Sequence, residues 1–334
     1  MYPELDSDQE LLRKTVREVL AKECSPALIR GVADEGADPA PLWRIYADLG
    51  WTQLVEPSET VELAIVLEEL GRSTDPTPYL ATMSQFAPLA PGVAEPEQSG
   101  AALFDGVTAH RDHDGWLLNG AASHVLDGDR ADWLAVVTEA GVFAVPAAEA
   151  TAHRTPVFDP VLHVAEVTLW DVRVPDENRT GADPERARAV ALTGMALTMV
   201  GACQRILDLT IEHVRTRHQF GVPIGSFQAV KHMAADMHIA IERARALAFH
   251  AAVTIADDHD HARRRPAAAM AKAAAGECQA LVFRNGLQLF GAMGFTWEND
   301  LQFALKRAKA GELLLGSAAE HRAMIAEEWH AADL

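Results

Sequence analysis

Cysteine is nearly absent from this sequence: 334 residues hold only Cys24, Cys203 and Cys278, and no two of them form a CxxC pair. The scarcity argues against a disulfide framework or a zinc site and leaves buried thiols as the reading. Basic side chains are also short, with 29 Lys and Arg against 48 Asp and Glu, a formal charge of −19. Nucleic acid and anionic membranes repel such a chain, so neither is expected as a partner. A few local arginines still suffice to hold a small anion. Long hydrophobic runs are missing too: none reaches the roughly 18 apolar residues that cross a bilayer. The start MYPELDSDQE is acidic rather than signal-like, and a cytoplasmic location is the expectation.

What is present fits a globular chain of two or three packed units, with 49% hydrophobic and 23% charged residues. Residues 1–90 read as an N-terminal helical domain. Ser7 and Glu10 have capping-box spacing, and Leu12, Val16, Val19 and Leu20 then share a helical face. The run Val61–Leu70 is a second helix, with Gly71 as its expected stop. Prolines 76, 78, 88, 91 and 96 break the pattern. Residues 91–182 read as a small middle β-domain. Trp133–Val137 and Val142–Val145 form a hairpin across a short turn, and Ala165, Val167 and Leu169 alternate with polar neighbours as in a half-buried strand. Residues 183–334 return to helix. Met199, Val200, Cys203, Leu207, Ile211 and Val214 mark one face of a long helix, followed by helices over 228–256 and 267–290, which suggests a four-helix bundle. The Asp257-Asp258-His259-Asp260-His261 stretch, followed by Arg263–Arg265, reads as a solvated loop of mixed charge rather than a metal site.

Two motifs carry chemistry. The first is Arg217-His218-Gln219-Phe220-Gly221, then Ile224 and Phe227-Gln228; the second is Gln288-Leu289-Phe290-Gly291-Ala292-Met293-Gly294-Phe295. A guanidinium can grip a pyrophosphate bidentately, and glycines let a backbone approach a phosphate or a ring. On the residues alone, an arginine closing its helix and glycines at a helix crossing explain the motifs about as well. Together the motifs resemble the R-x-x-F-G-x-x-I-x-x-F-Q and Q-x-x-G-G-x-G-F segments of the acyl-CoA dehydrogenase family. The resemblance extends over the whole chain, since the order of helices, small barrel-like β-domain and helical bundle also matches. It implies a mostly α fold and FAD as cofactor. It also implies that Arg217, Gln219, Phe220, Gln228, Gln288, Gly291, Ala292 and Gly294 hold the ADP arm of a FAD whose flavin sits in a neighbouring chain.

The same resemblance exposes gaps. Family members remove the α-proton of an acyl-CoA thioester with a glutamate, and so weak an acid needs a base within hydrogen-bond reach. Counted without a gap from the second motif, the base position falls on Leu315 in Leu314-Leu315-Gly316-Ser317; the alternative position, counted back from Arg217, falls on Ala191, followed by Leu192. Neither is a carboxylate, so no catalytic residue is assigned. Glu312 lies one turn before Leu315. The family's Thr-Glu-Pro-x-x-Gly-Ser-Asp loop is cut to Leu103-Phe104-Asp105-Gly106, and its Trp-x-Thr becomes His124 and Leu126. The chain resembles the short subunit of an α2β2 actinobacterial enzyme that desaturates steroid side-chain CoA thioesters. That implies a longer acyl-CoA dehydrogenase paralogue as partner, an acyl-CoA substrate and an acceptor like electron-transfer flavoprotein. Two alternatives stand beside it: a homomeric dehydrogenase with an atypical base such as Glu312, and a non-catalytic scaffold of the same fold.

Overall fold

In the computed structural model, which describes residues 5–257 and 261–332, helices occupy both ends of the chain and strands its middle. The helices are α1 Ser7–Glu23, α2 Pro26–Arg30, α3 Ala40–Asp48, α4 Thr60–Ser73, α5 Tyr79–Ala81, α6 Pro184–Thr216, α7 Gln228–Ala256, α8 His261–Phe290, α9 Leu301–Leu313 and α10 Ala318–Ala332. The strands are β1 Gly100–Leu103, β2 Val107–Asp112, β3 Gly115–Leu126, β4 Trp133–Thr138, β5 Gly141–Pro146, β6 Thr151–Arg154, β7 Val164–Pro175, β8 Arg179–Thr180, β9 His218–Gln219 and β10 Val222–Pro223. Two compact units result, one of Met1–Ile29, Ala64–Asp75 and Leu192–Leu334, the other of Arg30–Leu63 and Pro76–Ala191.

In the first unit the N-cap of α1 is Asp6 rather than Ser7. Its Oδ1 accepts from the N–H groups of Asp8 and Gln9 at 2.9 Å, and the Gln9 side chain accepts the Asp6 N–H. An aspartate also favours the positive end of the helix dipole, so the capping box falls on Asp6 and Gln9. The α4 helix is not stopped by Gly71. It runs to Ser73, and the chain turns away at Thr74 with φ +55°. Gly71 serves a crossing instead: a Cβ there would overlap the Thr198 carbonyl on α6, and one on Gly201 would overlap the Glu68 carbonyl on α4. Ion pairs surround this crossing. Arg17 reaches Glu69 (Nε to Oε2, 3.0 Å), Arg72 reaches Asp208 (3.0 Å), and Arg245 reaches Glu68 (2.7 Å). Gln204 bridges Arg245 and Asp208 at 2.9 Å. Such pairs add little where exposed, but removing one partner of the buried Glu68–Arg245 pair would strand a charge.

The bundle is built on α6 to α10, with α8 packed against α7, α9 and α10. The α7 bounds are the expected ones, whereas α8 starts at His261, ahead of the expected 267. On α6, Met199, Val200, Cys203, Leu207 and Val214 are buried as expected, while Ile211 is exposed. By length and composition α6 could cross a membrane, contrary to the expectation that no stretch would qualify. Of its most apolar window, 89% is buried inside the protein, as for a core helix.

In the second unit, two four-stranded sheets, β1-β4-β5-β8 and β2-β3-β7-β6, share one apolar core. The β4–β5 hairpin closes with Thr138 opposite Gly141, and Ala165, Val167 and Leu169 point into the core as the alternation predicts. Of the Asp257–His261 stretch, residues 258–260 lie outside the described residues. Among the described residues no His/Cys/Asp/Glu group has a metal-binding arrangement.

Candidate functional site

The Arg217 motif folds as an exposed hairpin between α6 and α7. The Arg217 N–H bonds back to the His213 carbonyl (2.9 Å), ending α6, and the Ile224 N–H returns to the Arg217 carbonyl (2.8 Å). In the ladder Gln219 pairs with Val222, leaving Phe220 and Gly221 as the turn with φ +54° and +81°. Two positive-φ residues suit the twist of a two-residue hairpin, but at phenylalanine the geometry is strained. The ring stays 92% exposed, edge-on to Phe227 at 6.1 Å. Arg217, Gln219 and Gln228 are all exposed, with Gln228 the first residue of α7. The Gln219 amide bonds the His218 carbonyl (2.8 Å). The Arg217 guanidinium has no hydrogen bond or ion pair among the described residues.

The second motif sits where α8 gives way to a 3-10 turn over Gly291–Phe295. Gly291 has φ +60° with open space where a Cβ would be, whereas a Cβ on Gly294 would lie 3.0 Å from Phe290 Cβ and 3.1 Å from Leu287 Cδ2. Gly291 is therefore required by conformation and Gly294 by packing. Gln288 and Ala292 are exposed and Gly294 is buried. Contacts made by residues in or before each motif bring the two together. His213 stacks on Phe290 with centroids 4.4 Å apart and planes 12° from parallel, and Gly286 approaches Ile206 so closely that a Cβ would be 2.7 Å from its Cγ2. Burial, with the Arg217 charge nearby, lowers the His213 pKa below the usual imidazole value, so the ring stacks neutral. Sequence reading missed this pairing, because nothing local ties His213 to Phe290. The surface beside the motifs is unusually apolar: Phe220, Met293, Phe295 and Trp297 are 92%, 47%, 77% and 45% exposed.

At the expected base position stands Leu315, half-buried on the connection from α9 to α10, with φ +57° and Gly316 after it at +90°. This connection is tied down on several sides. His321 Nε2 donates to the Leu315 carbonyl (2.9 Å), and Lys272 Nζ donates to the Gly316 carbonyl (2.6 Å). Ser317 and Glu320 cap the start of α10. Lys272 is fully buried, and burial pushes its pKa down to about 8 despite Glu312 at 4.0 Å. Glu312 is not a surface residue: its Oε1 accepts the Ala318 N–H at 3.0 Å, its Oε2 has no hydrogen-bond partner, and a Cβ on Gly276 would overlap that Oε2. It serves as a cap for α10. Ala191 and Leu192, at the alternative base position, are buried and apolar. Met195 and Met199 pack against Gly311, one turn before Leu315.

Two β-domain segments stand where flavin-facing groups are expected. Between β1 and β2 only Phe104, Asp105 and Gly106 intervene, and Gly106 turns at φ +82° against the Ala121 carbonyl. His124 lies at a register shift in β3 with φ +58°, exposed, its Nδ1 3.1 Å from Ser123 Oγ. Leu126 is buried and carries no polar atom. A flavin's pyrimidine edge needs donors, and neither the shortened connection nor Leu126 supplies them. The exposed Arg217, Gln228 and Gln288 and the open Gly291 backbone, by contrast, fit an anionic group arriving from outside this chain.

Residues 6–98 match the N-terminal domain and residues 190–330 the C-terminal domain of acyl-CoA dehydrogenases. The sequence is 32% identical over 328 residues to acyl-CoA dehydrogenase IpdE2 of Mycolicibacterium smegmatis, covering 93% of this chain and 96% of that protein. It is 24% identical over 376 residues to the mitochondrial short-chain specific acyl-CoA dehydrogenase of Sus scrofa, covering 97% and 90%. Among solved structures, the ChsE4-ChsE5 complex from Mycobacterium tuberculosis aligns with a TM-score of 0.88 at 23% identity over 98% of each chain. The Tcur3481-Tcur3483 steroid ACAD aligns at 0.86 and 25% identity, again over 98% of each. This chain belongs to the acyl-CoA dehydrogenase family, a family of FAD-binding oxidoreductases.

Proposed function

We propose that this chain is the shorter subunit of a cytoplasmic heteromeric acyl-CoA dehydrogenase, an α2β2 assembly in which a longer paralogue supplies the base and most of the flavin pocket. The observation that carries the reading is the aliphatic Leu315 at the expected base position, on a connection fixed by His321 and Lys272. An alkyl group cannot take the α-proton, and one oxygen of Glu312 is already engaged in capping α10. In this reading Arg217 pairs with the pyrophosphate of the partner's FAD. Gln219, Gln228 and Gln288 offer amide donors, Phe220 packs across the interface, and the Gly291–Gly294 turn, including Ala292, admits close backbone approach. FAD, when bound, supplies the acceptor for the substrate hydride. The substrate class is an acyl-CoA with a bulky acyl group, for which a steroid side-chain CoA is the first choice. Two structures of the same fold, the ChsE4-ChsE5 complex and the Tcur3481-Tcur3483 steroid ACAD, support a two-chain assembly.

Co-expression with longer paralogues, followed by counting flavins per assembly, tests the proposal. A heteromer is expected whose flavin is bleached by acyl-CoA, with Glu312→Gln in this chain leaving turnover intact. A lone chain that forms a homo-oligomer with one FAD per subunit, reduced by an acyl-CoA, would overturn it.

A further inference from the structure

We propose that a cavity bordered by α1, α4, α6 and α9 binds a small organic anion, its carboxylate head paired with Arg205 and its apolar body against Leu20, Ile29 and Phe303. The cavity measures about 440 Å³ and lies wholly within the first unit, and it involves neither cofactor-related motif. Its volume is in the range of ligand sites. Leu20, Ile29 and Phe303 line it and are 1%, 4% and 4% exposed, so their side chains form a fixed apolar wall.

The charges around the cavity balance in number, Arg17, Arg72 and Arg205 against Glu69, Asp300 and Asp208, but not in pairing. Arg17 and Arg72 line it, but their guanidiniums are committed to Glu69 and Asp208. Arg205, the third lining arginine, is partly buried and has no hydrogen bond or ion pair among the described residues. Asp300 also lines the cavity but is engaged elsewhere and forms no ion pair with Arg205. A guanidinium partly withdrawn from water with no ion-pair partner is unfavourable, and an anion in the cavity offsets that cost. The first turn of α9 contributes Phe303 and Ala304 to the lining, so the positive end of its dipole lies on the same side of the balance. The chain as a whole carries −19, so general attraction of anions is absent, and selectivity has to come from this recess.

Calorimetric titration of the protein, alone and in its heteromer, with hexanoate and with the neutral hexanamide tests the proposal. Hexanoate is expected to bind saturably and hexanamide not at all. Loss of a charge-assisted contact in Arg205→Gln should weaken hexanoate about tenfold or more. The same substitution should leave the melting temperature unchanged or raised, because Arg205 has no protein partner to lose; a structural arginine would lower it. Ala21→Phe, which narrows the cavity from α1, should also abolish binding. Absence of saturable heat, equal binding of hexanamide, or indifference to Arg205→Gln would overturn the proposal. So would binding that disappears in the heteromer, since the natural occupant would then be a partner side chain.

Discussion

At Lys272 an ammonium has been carried into the interior beside the connection from α9 to α10. Its amine donates to the Gly316 carbonyl, yet the charges of Glu312, at 4.0 Å, and Glu320 offset burial only in part. An unfolded lysine holds its proton to about pH 10.5, whereas Lys272 gives it up near pH 8. Between these values the unfolded chain binds more protons than the folded one, so stability rises with pH through that window. Below pH 8 both states are charged, and a shift of this size costs the fold about 3 kcal/mol. Lys272→Met removes the titration. The urea midpoint of the natural protein minus that of the variant should therefore climb from pH 8 to 10.5, and a flat difference would show that the amine is not held charged in a dry site. The same geometry explains how Leu315 is tolerated at φ +57°. The bonds from His321 and Lys272 to consecutive carbonyls over-determine the backbone there.

At the scale of elements, the α4–α6 crossing depends on absent side chains. Gly71→Ala would drive a methyl into the Thr198 carbonyl, and because backbone cannot yield as a side-chain tip can, a loss of about 3 kcal/mol is expected in urea unfolding. Gly181→Ala is the control: nothing lies within 4 Å of the added carbon, so the change should be neutral or slightly stabilising. Equal effects at both sites would mean that the two helices do not cross at Gly71. This crossing was not legible in the sequence, because a glycine after an apolar run reads locally as a helix stop. The strongly periodic elements were legible, since α7 and the β4–β5 hairpin each carry their pattern within a few turns or residues. What fixes Leu315 was not legible: Lys272, Glu312 and His321 lie on three different helices, and their meeting is set by Gly276 admitting Glu312 against α8. The capping box slipped by one residue because Asp6 and Ser7 are both good caps, and only the observed bonds choose between them.

At the scale of the whole molecule, strained and exposed features fall in or next to the two motifs. Phe220 is held at a positive φ and left 92% exposed, Phe295 and Trp297 stand out nearby in sequence to the second motif, and the Arg217 guanidinium has no partner among the described residues. A chain that used these groups for its own stability would have paired or buried them; a chain that lends them to a neighbour has to keep them open. The two cases differ measurably in Arg217→Ala. For a lent arginine, the melting temperature of the lone chain should not move, because no hydrogen bond or ion pair is lost. The heteromer should instead lose FAD affinity about tenfold to a hundredfold, the size of one or two charge-assisted contacts with a pyrophosphate. Fluorescence titration of the apo-heteromer with FAD reads that loss directly. A variant that melts earlier while holding FAD as tightly as before would place Arg217 in this chain's own framework and remove the link to a partner's cofactor.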